Sequence, residues 1–220
     1  MAYNLLDLRA RVRTKIKDTS YPATTIDGFI NDAIAEISGL FPFRNFQKII
    51  DGDLTVGEYT YDQQADHETT IKLILIDPVN STSYFDLTSG RLTSDRFFNS
   101  FPVPDSQGNA QPAYWTEYGD QLYFNCPVDK AYTLRQLYQK LPTELSGDAD
   151  VPELPSIFRE AIVLGATYRC EEERGNYDIA AIVNNHFSDK VGDLMTRFAN
   201  DTLSGPDTVV MPGVRGEIYG

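Results

Sequence analysis

Apolar positions near the start of the chain repeat with the spacing of α-helices. The first stripe predicts a helix from about Asn4 to Lys17, with Asn4 as its N-cap. A second stripe predicts a helix from about Thr25 to Ser38, started by Thr24 with Asp27. The two apolar stripes are Leu5, Leu8, Val12 and Ile16, and then Ile26, Phe29, Ile30, Ala33, Ile34 and Ile37. The short connection between them predicts an antiparallel helix pair.

The middle of the chain changes to the alternating pattern of β-strands. Alternating apolar positions on both sides of Gly57-Glu58 predict a hairpin. A strand is predicted at Ile71–Ile76 with Tyr84–Leu87 as its partner, and a short helix at Thr93–Ser100. After a Pro- and Gly-rich loop at 101–112, three strands predict a β-meander, namely residues 113–118, 121–125 and 132–141.

Two long helices follow, and then a segment without helical pattern. The helices are predicted at about Ser156–Arg174 and Tyr177–Asn200, with Gly175-Asn176 as the break between them. Their predicted apolar stripes are Ile157, Ala161, Leu164 and Tyr168, and then Ile179, Val183, Phe187, Val191, Leu194 and Phe198. Residues from Thr202 to Gly220 are broken by glycine and proline.

These elements predict an α+β fold with one interrupted helical domain. A helical bundle is built from the N-terminal helix pair, residues 1–45, and from the two C-terminal helices, residues 151–201. An antiparallel β region, residues 46–150, is inserted between them, and residues 202–220 form an extended C-terminal arm.

Composition narrows the choice of function. The net charge is −13, so the chain lacks the basic footprint that binding to nucleic acid requires. Such a charge serves solubility, and it also suits the wall of a channel through which DNA passes without sticking. The 13 tyrosines fit either wet protein–protein contacts or a half-exposed sheet. No apolar run approaches the ~20 residues of a membrane span, so we expect a soluble protein made in the cytoplasm.

The sequence contains few candidates for catalytic, metal-binding or cofactor-binding residues. Cys126 and Cys170 fit free thiols in a reducing compartment, and His67 and His186 have no ligand spacing around them. The acidic loop at 62–68 lacks the order of a calcium loop. No phosphate loop, dinucleotide fingerprint or nucleophile elbow occurs. We therefore expect no catalytic residue, no metal and no cofactor. A pair of carboxylates that cleaves peptidoglycan is the sharpest enzymatic alternative.

The first predicted helix is basic in an otherwise acidic chain. Arg9 and Arg13 fit a seam against Glu171 and Glu172 of an adjacent subunit. A solvated helix flank is the simpler interpretation, because the basic positions straddle the apolar stripe and do not form one patch.

Several motifs resemble, in the same order along the chain, those of the bacteriophage head-to-tail adaptor family of short-tailed phages. The motifs are helical openings at 5–9 and 26–33, a Gly-x-x-x-Tyr-like strand at 56–62, strands around Gly turns at 111–115 and 119–124, Cys126-Pro127, a Tyr-x-Leu-x-x-x-Tyr strand at 132–138, and a helix start at 154–158. The resemblance implies a non-enzymatic virion protein of the head–tail neck. It implies a ring, usually dodecameric, that sits below the portal, extends the DNA channel without sequence-specific binding, and docks tail or nozzle proteins. The expected partners are the portal protein, neighbouring adaptor subunits, tail or nozzle protein and passing genomic DNA, with no membrane. A tail structural subunit without portal contact is a further alternative.

The last segment is the predicted portal-binding arm. Its apolar residues are Val209, Val210, Met211, Val214, Ile218 and Tyr219. Disordered tails are usually poor in such residues, and an alternating apolar segment can add a strand to the sheet of a partner. A floppy chain end is the alternative.

Overall fold

The computed structural model describes residues 3–40, 43–80 and 82–203, with side chains up to residue 197. Within these ranges the chain forms two compact units, one from residues up to Phe41 together with those from Glu144 onward, the other from Pro42–Thr143. The helices are α1 (Leu5–Ile16), α2 (Ala23–Gly39), α3 (Ser94–Ser100), α4 (Arg159–Glu173) and α5 (Tyr177–Leu203). The strands are β1 (Gln47–Asp53), β2 (Thr60–Asp62), β3 (His67–Ile76), β4 (Tyr84–Asp86), β5 (Trp115–Tyr118), β6 (Gln121–Phe124) and β7 (Thr133–Lys140). The predicted α+β class with antiparallel pairing is confirmed.

The first two helices begin in different ways. The side chain of Asn4 accepts a hydrogen bond from the backbone N–H of Asp7 at 3.0 Å, so the predicted N-cap of α1 is confirmed. The start signal predicted at Thr24 is wrong, because α2 begins at Ala23 directly after Pro22 and has no side-chain cap. Proline holds its φ near the helical value and has no N–H to satisfy, so it starts the helix without a cap.

Helix α4 is the centre of the helical unit. It packs against α1, α2 and α5, so its buried positions surround the helix. The single apolar stripe predicted for it is therefore wrong at Ile157, which lies in a 3-10 turn before α4 and is 49% exposed. The buried residues of α4 are Ala161, Ile162, Val163, Gly165, Ala166, Thr167, Cys170 and Glu171.

Gly165 lies where α4 meets its neighbours most closely. A Cβ atom at this position would stand 2.8 Å from the Cβ of Ala33 on α2 and 3.0 Å from Cε2 of Phe187 on α5. The predicted inward face of α5 is confirmed at Phe187, Val191 and Leu194, and it is wrong at Ile179, which is exposed. The side chain of Phe198 lies outside the described residues.

The β unit contains two antiparallel sheets, with strand orders β1-β7-β3-β4 and β2-β6-β5. The predicted β3–β4 and β5–β6 pairs are confirmed. The hairpin predicted around Gly57-Glu58 is wrong, because β1 pairs with β7 and β2 pairs with β6. The meander is wrong at its third strand, which pairs with β1 and β3.

The cause of both errors lies in the segment between β6 and β7. Val128 is buried and exchanges backbone hydrogen bonds with Gly57 and Glu58 at 2.9 and 3.0 Å. This segment therefore crosses from one sheet to the other and does not form a tight turn. The residues packed in the resulting core are Leu54, Leu73, Leu75, Leu87, Trp115, Leu122, Phe124, Val128, Tyr132 and Leu134.

Candidate functional site

The outer face of the three-stranded sheet is the most distinctive surface of the β unit. Side chains alternate across a strand, so Leu122 and Phe124 of β6 are buried while Gln121 and Tyr123 lie on the outer face. In the antiparallel register, Tyr118 of β5 lies opposite Gln121, and Asp62 of β2 lies opposite it on the other side. The register therefore gathers tyrosine, amide and carboxylate groups on one side of the sheet.

We define the aromatic face as Tyr59, Phe98, Phe101, Tyr114, Tyr118 and Tyr123. The ring of Phe98 lies 5.5 Å from those of Tyr118 and Tyr123, and Tyr123 lies 6.4 Å from Tyr59. Most of these pairs meet edge to face or at a tilt, which are favourable arrangements for aromatic rings. Tyr118 is nevertheless 60% exposed and Tyr114 is 45% exposed. The rings are thus packed against one another and still open to the surroundings.

Helix α3 anchors this surface. Phe97 is fully buried, and its ring lies 5.4 Å from both Phe98 and Phe101. Phe101 in turn stacks on Tyr114 at 5.7 Å. One buried aromatic ring therefore holds two partly exposed ones, which fixes their positions without hiding them.

A groove of about 420 Å³ opens beside Tyr118 and Tyr123. Its lining residues are Asp62, Gln63, Tyr118, Gly119, Asp120, Gln121 and Tyr123. The amide of Gln121 donates to Asp62 Oδ1 at 2.7 Å. Gly119 has φ +60° and is the first residue of the two-residue loop between β5 and β6, a position that favours glycine in tight hairpins. This turn places Asp120 among the residues that line the groove.

Glu117 lies on the opposite side of β5 and ties that strand to β3. Its Oε1 accepts hydrogen bonds from the backbone N–H of Thr70 at 2.9 Å and from Gln63 Nε2 at 3.3 Å, and its Oε2 accepts one from Arg91. Burial raises the pKa of Glu117, but the contacts with His67, Thr70 and Arg91 outweigh it and hold that pKa below its ordinary value. This carboxylate is therefore ionised at neutral pH and is not suited to be the proton donor of a glycosidase.

His67 belongs to the same polar network. Its Nε2 lies 3.4 Å from Glu117 Oε1 and 3.0 Å from Thr70 Oγ1, and its ring packs against Tyr138 at 5.2 Å. Nearby, Asp66 accepts hydrogen bonds from Tyr138 and Lys48. Among the described residues no group of three or more histidine, cysteine, aspartate or glutamate side chains is placed to hold a metal ion.

The residues predicted from sequence to contact other subunits lie elsewhere. Arg9 donates to Asp27 at 2.7 Å and to Asp148 at 2.9 Å. Arg13 donates to the carbonyl oxygen of Tyr21 at 2.8 Å.

The two predicted acidic contacts differ in exposure. Glu171 is buried and accepts from Arg174 and Asn176. Glu172 is exposed. The structure does not bring these glutamates together with Arg9 or Arg13. The predicted arm residues, from Val209 to Tyr219, lie outside the described part of the chain.

The aromatic face was not predicted as a site. Three of its tyrosines, Tyr114, Tyr118 and Tyr123, stand at outward positions of two predicted strands, which is a local signal. Their convergence with Phe98 and Phe101 depends on how α3 packs on β5, and no local pattern reveals this. Among the described helices, none is both long and apolar enough to cross a membrane.

A helical unit interrupted by a long β insertion that displays packed aromatic rings is suited to contact with other proteins. Comparison of the sequence with known families places the chain in the class of bacteriophage structural adaptor proteins. The chain belongs to the SU10 adaptor protein family, whose model matches residues 3–210. No curated protein sequence matches the chain significantly.

Proposed function

We propose that this chain is a head-to-tail adaptor whose copies form a ring below the portal, in the neck of the virion. The ring extends the DNA channel and offers a docking surface to tail or nozzle proteins. The observation that carries the proposal is the family match, which covers almost the whole chain. A ring follows from heterologous contacts between identical subunits when their rotation closes.

The net charge of −13 supports the channel role. An acidic wall repels phosphate, so packaged DNA passes without being held at any sequence. The protein then acts by surface complementarity and needs no catalytic residue, cofactor or metal.

Docking on the portal is assigned to the C-terminal arm. The support is its sequence, in which apolar residues alternate on both sides of Pro212-Gly213. A chain truncated after Leu203 should keep its helical circular dichroism and lose binding to the portal protein. Unimpaired binding by this truncated chain would remove the arm from the proposal.

Contacts between neighbouring subunits are assigned to the basic helix α1 and the acidic end of α4. Arg9 also bridges Asp27 and Asp148 within its own chain, so its reversal would disturb the fold as well. Glu172 is exposed, and Glu172→Lys is therefore the cleaner variant. It should weaken ring formation, and ring formation at the normal level would count against this contact.

The decisive experiment is the solution mass of the purified chain with and without the portal protein, followed by electron microscopy of the complex. A ring on the tail-facing side of the portal supports the proposal. A ring or tube that forms away from the portal supports a tail subunit. Digestion of purified cell walls by the chain would support the enzymatic alternative.

A further inference from the structure

The groove beside Tyr118 and Tyr123 combines flat aromatic surfaces with carboxylates. The rings are held in place, because Tyr123 contacts Phe98, Tyr118 and Tyr59 at once. A rigid ring loses little conformational freedom when a partner covers it, so such rings are good anchors for binding. The surface is therefore prepared for contact before any partner arrives.

The charged residues that line the groove are all acidic. Asp62 and Asp120 line the groove. Among the described residues that line the groove there is no lysine or arginine. A phosphate backbone is repelled by such a surface, whereas a cation is attracted both by the carboxylates and by the ring faces.

Arginine fits this combination better than lysine does. Its planar guanidinium stacks on an aromatic ring while its N–H groups pair with a carboxylate, and the compact ammonium of lysine does not do both. Tyr118 and Tyr123 meet edge to face with their ring centroids 6.3 Å apart, and both rings border the groove.

A second copy of the same chain is a poor source of this cation. Three basic residues of α1 already pair with acids of their own chain: Arg9 with Asp27 and Asp148, Arg11 with Asp7 at 3.0 Å, and Lys15 with Glu160 at 2.8 Å. Each copy also has a net charge of −13, so it offers a neighbour more carboxylates than cations. A different protein is therefore the better source of the cation.

From these observations we infer that the aromatic face and its groove bind an arginine-bearing segment of a tail or nozzle protein. The inference rests on the proposed function, since that function places a second virion protein against the adaptor. The inference identifies the surface on which this second protein docks and the side chain that its docking segment carries.

The chemistry is tested with the purified full-length chain and a short probe peptide that carries two arginines in a glycine–serine background. The same peptide with lysine, and with the neutral isostere citrulline, completes the series. We expect arginine to bind most tightly and citrulline most weakly. Equal binding of arginine and citrulline, or no binding of any probe at millimolar concentration, would overturn the inference. Tighter binding of a neutral chitin oligosaccharide would identify a carbohydrate site instead.

Matched variants locate the site. Asp120→Asn and Tyr118→Ser should each weaken binding of the arginine peptide by about two- to fivefold, the effect expected of one exposed charge pair or cation–π contact. Tyr84→Ser is the control for the tyrosine, because Tyr84 is similarly exposed at 64% on β4. Asp193→Asn on α5 is the control for the carboxylate, because Asp193 is exposed as well. Equal losses in the controls would contradict the assignment. Unchanged Trp115 fluorescence verifies that each variant is folded.

Particles that carry the same variants separate this inference from the proposed function. Heads with Tyr118→Ser and Asp120→Asn combined should retain the adaptor and lose their tails. Normal tail attachment by these heads would refute the docking site. Absence of even the unaltered chain from the necks of particles would refute the proposed function, while the peptide result would still stand.

Discussion

Replacing Gly165 with alanine tests how closely the helices of the helical unit approach. Gly165 lies in the middle of α4, where alanine would normally improve a helix by about 1 kcal/mol. The added methyl group would stand 2.8 Å from the Cβ of Ala33 and 3.0 Å from Cε2 of Phe187. Because the Cβ of Ala33 is fixed to the backbone of α2, it cannot rotate away, and the helices themselves must move.

The two effects oppose each other, and their sizes decide the sign. Forcing an extra methyl group into a packed core costs about 1–3 kcal/mol. After the gain in helix propensity is subtracted, we expect Gly165→Ala to lower the free energy of unfolding by up to about 2 kcal/mol, with a Tm about 2–4 °C lower per kcal/mol.

Urea unfolding followed by circular dichroism at the helical band measures this effect. Gly28→Ala is the matched control, since Gly28 lies in α2 with no atom within 4 Å of an added Cβ. The control should gain about 0.5–1 kcal/mol, because only helix propensity acts there.

The pair Gly165→Ala with Ala33→Gly isolates the contact. Ala33→Gly costs about 1 kcal/mol of helix propensity by itself, so the contact is measured by the double-mutant cycle, in which we expect a favourable coupling of about 0.5 kcal/mol or more between the two positions. If Gly165→Ala proved as stabilising as Gly28→Ala, the close approach of α2 and α4 would be refuted.

Three further predictions concern the polar network, a thiol and a helix cap. Glu117→Gln should destabilise the β unit by about 1–3 kcal/mol at neutral pH, measured by the fluorescence of Trp115. The folded-state pKa of Glu117 lies below its ordinary value of 4.5, so the stability that the ionised carboxylate contributes is present above pH 4.5 and is lost as pH falls through the folded pKa. A difference in unfolding free energy between the unaltered chain and Glu117→Gln that persists at the lowest pH would contradict this. Cys170 is fully buried, and its pKa is raised to about 12, mainly by that burial. In a Cys126→Ser background the Cys170 thiol should therefore react with a thiol reagent at pH 8 only when the protein unfolds. Reaction within the mixing time would argue against its burial. Asn4→Ala should cost about 1 kcal/mol through loss of the cap and Asn4→Asp should not; equal unfolding free energies of the two variants would speak against the cap.

The helices with one buried stripe were predictable from sequence, and the central helix was not. In α1 the four predicted apolar positions are the four buried ones. Helix α4 is covered by three neighbours, so its periodic signal is weak and small residues such as Gly165 and Ala166 carry its packing. A sequence pattern reports how many faces of a helix are apolar, and it does not report which helix covers each face.

Strand positions were also predictable, and strand partners were predictable only between neighbours in sequence. Local alternation marks a strand, and short turns such as Gly119-Asp120 mark a hairpin. The pairing of β1 with β7 joins segments separated by most of the β unit, and it depends on the buried crossing at Val128. The aromatic face escaped sequence reasoning for the same reason, because its rings come from three separated segments.

The helical unit draws its helices from both ends of the chain, and this order has a consequence during synthesis. A ribosome releases α1 and α2 more than a hundred residues before α4, the helix against which both pack. The apolar stripes of α1 and α2 therefore remain without α4 while the β unit, Pro42–Thr143, is being synthesised. In that interval, α4 of another nascent chain on the same messenger can take the vacant place. Exchange of helices between two chains is thus the assembly error that this topology invites.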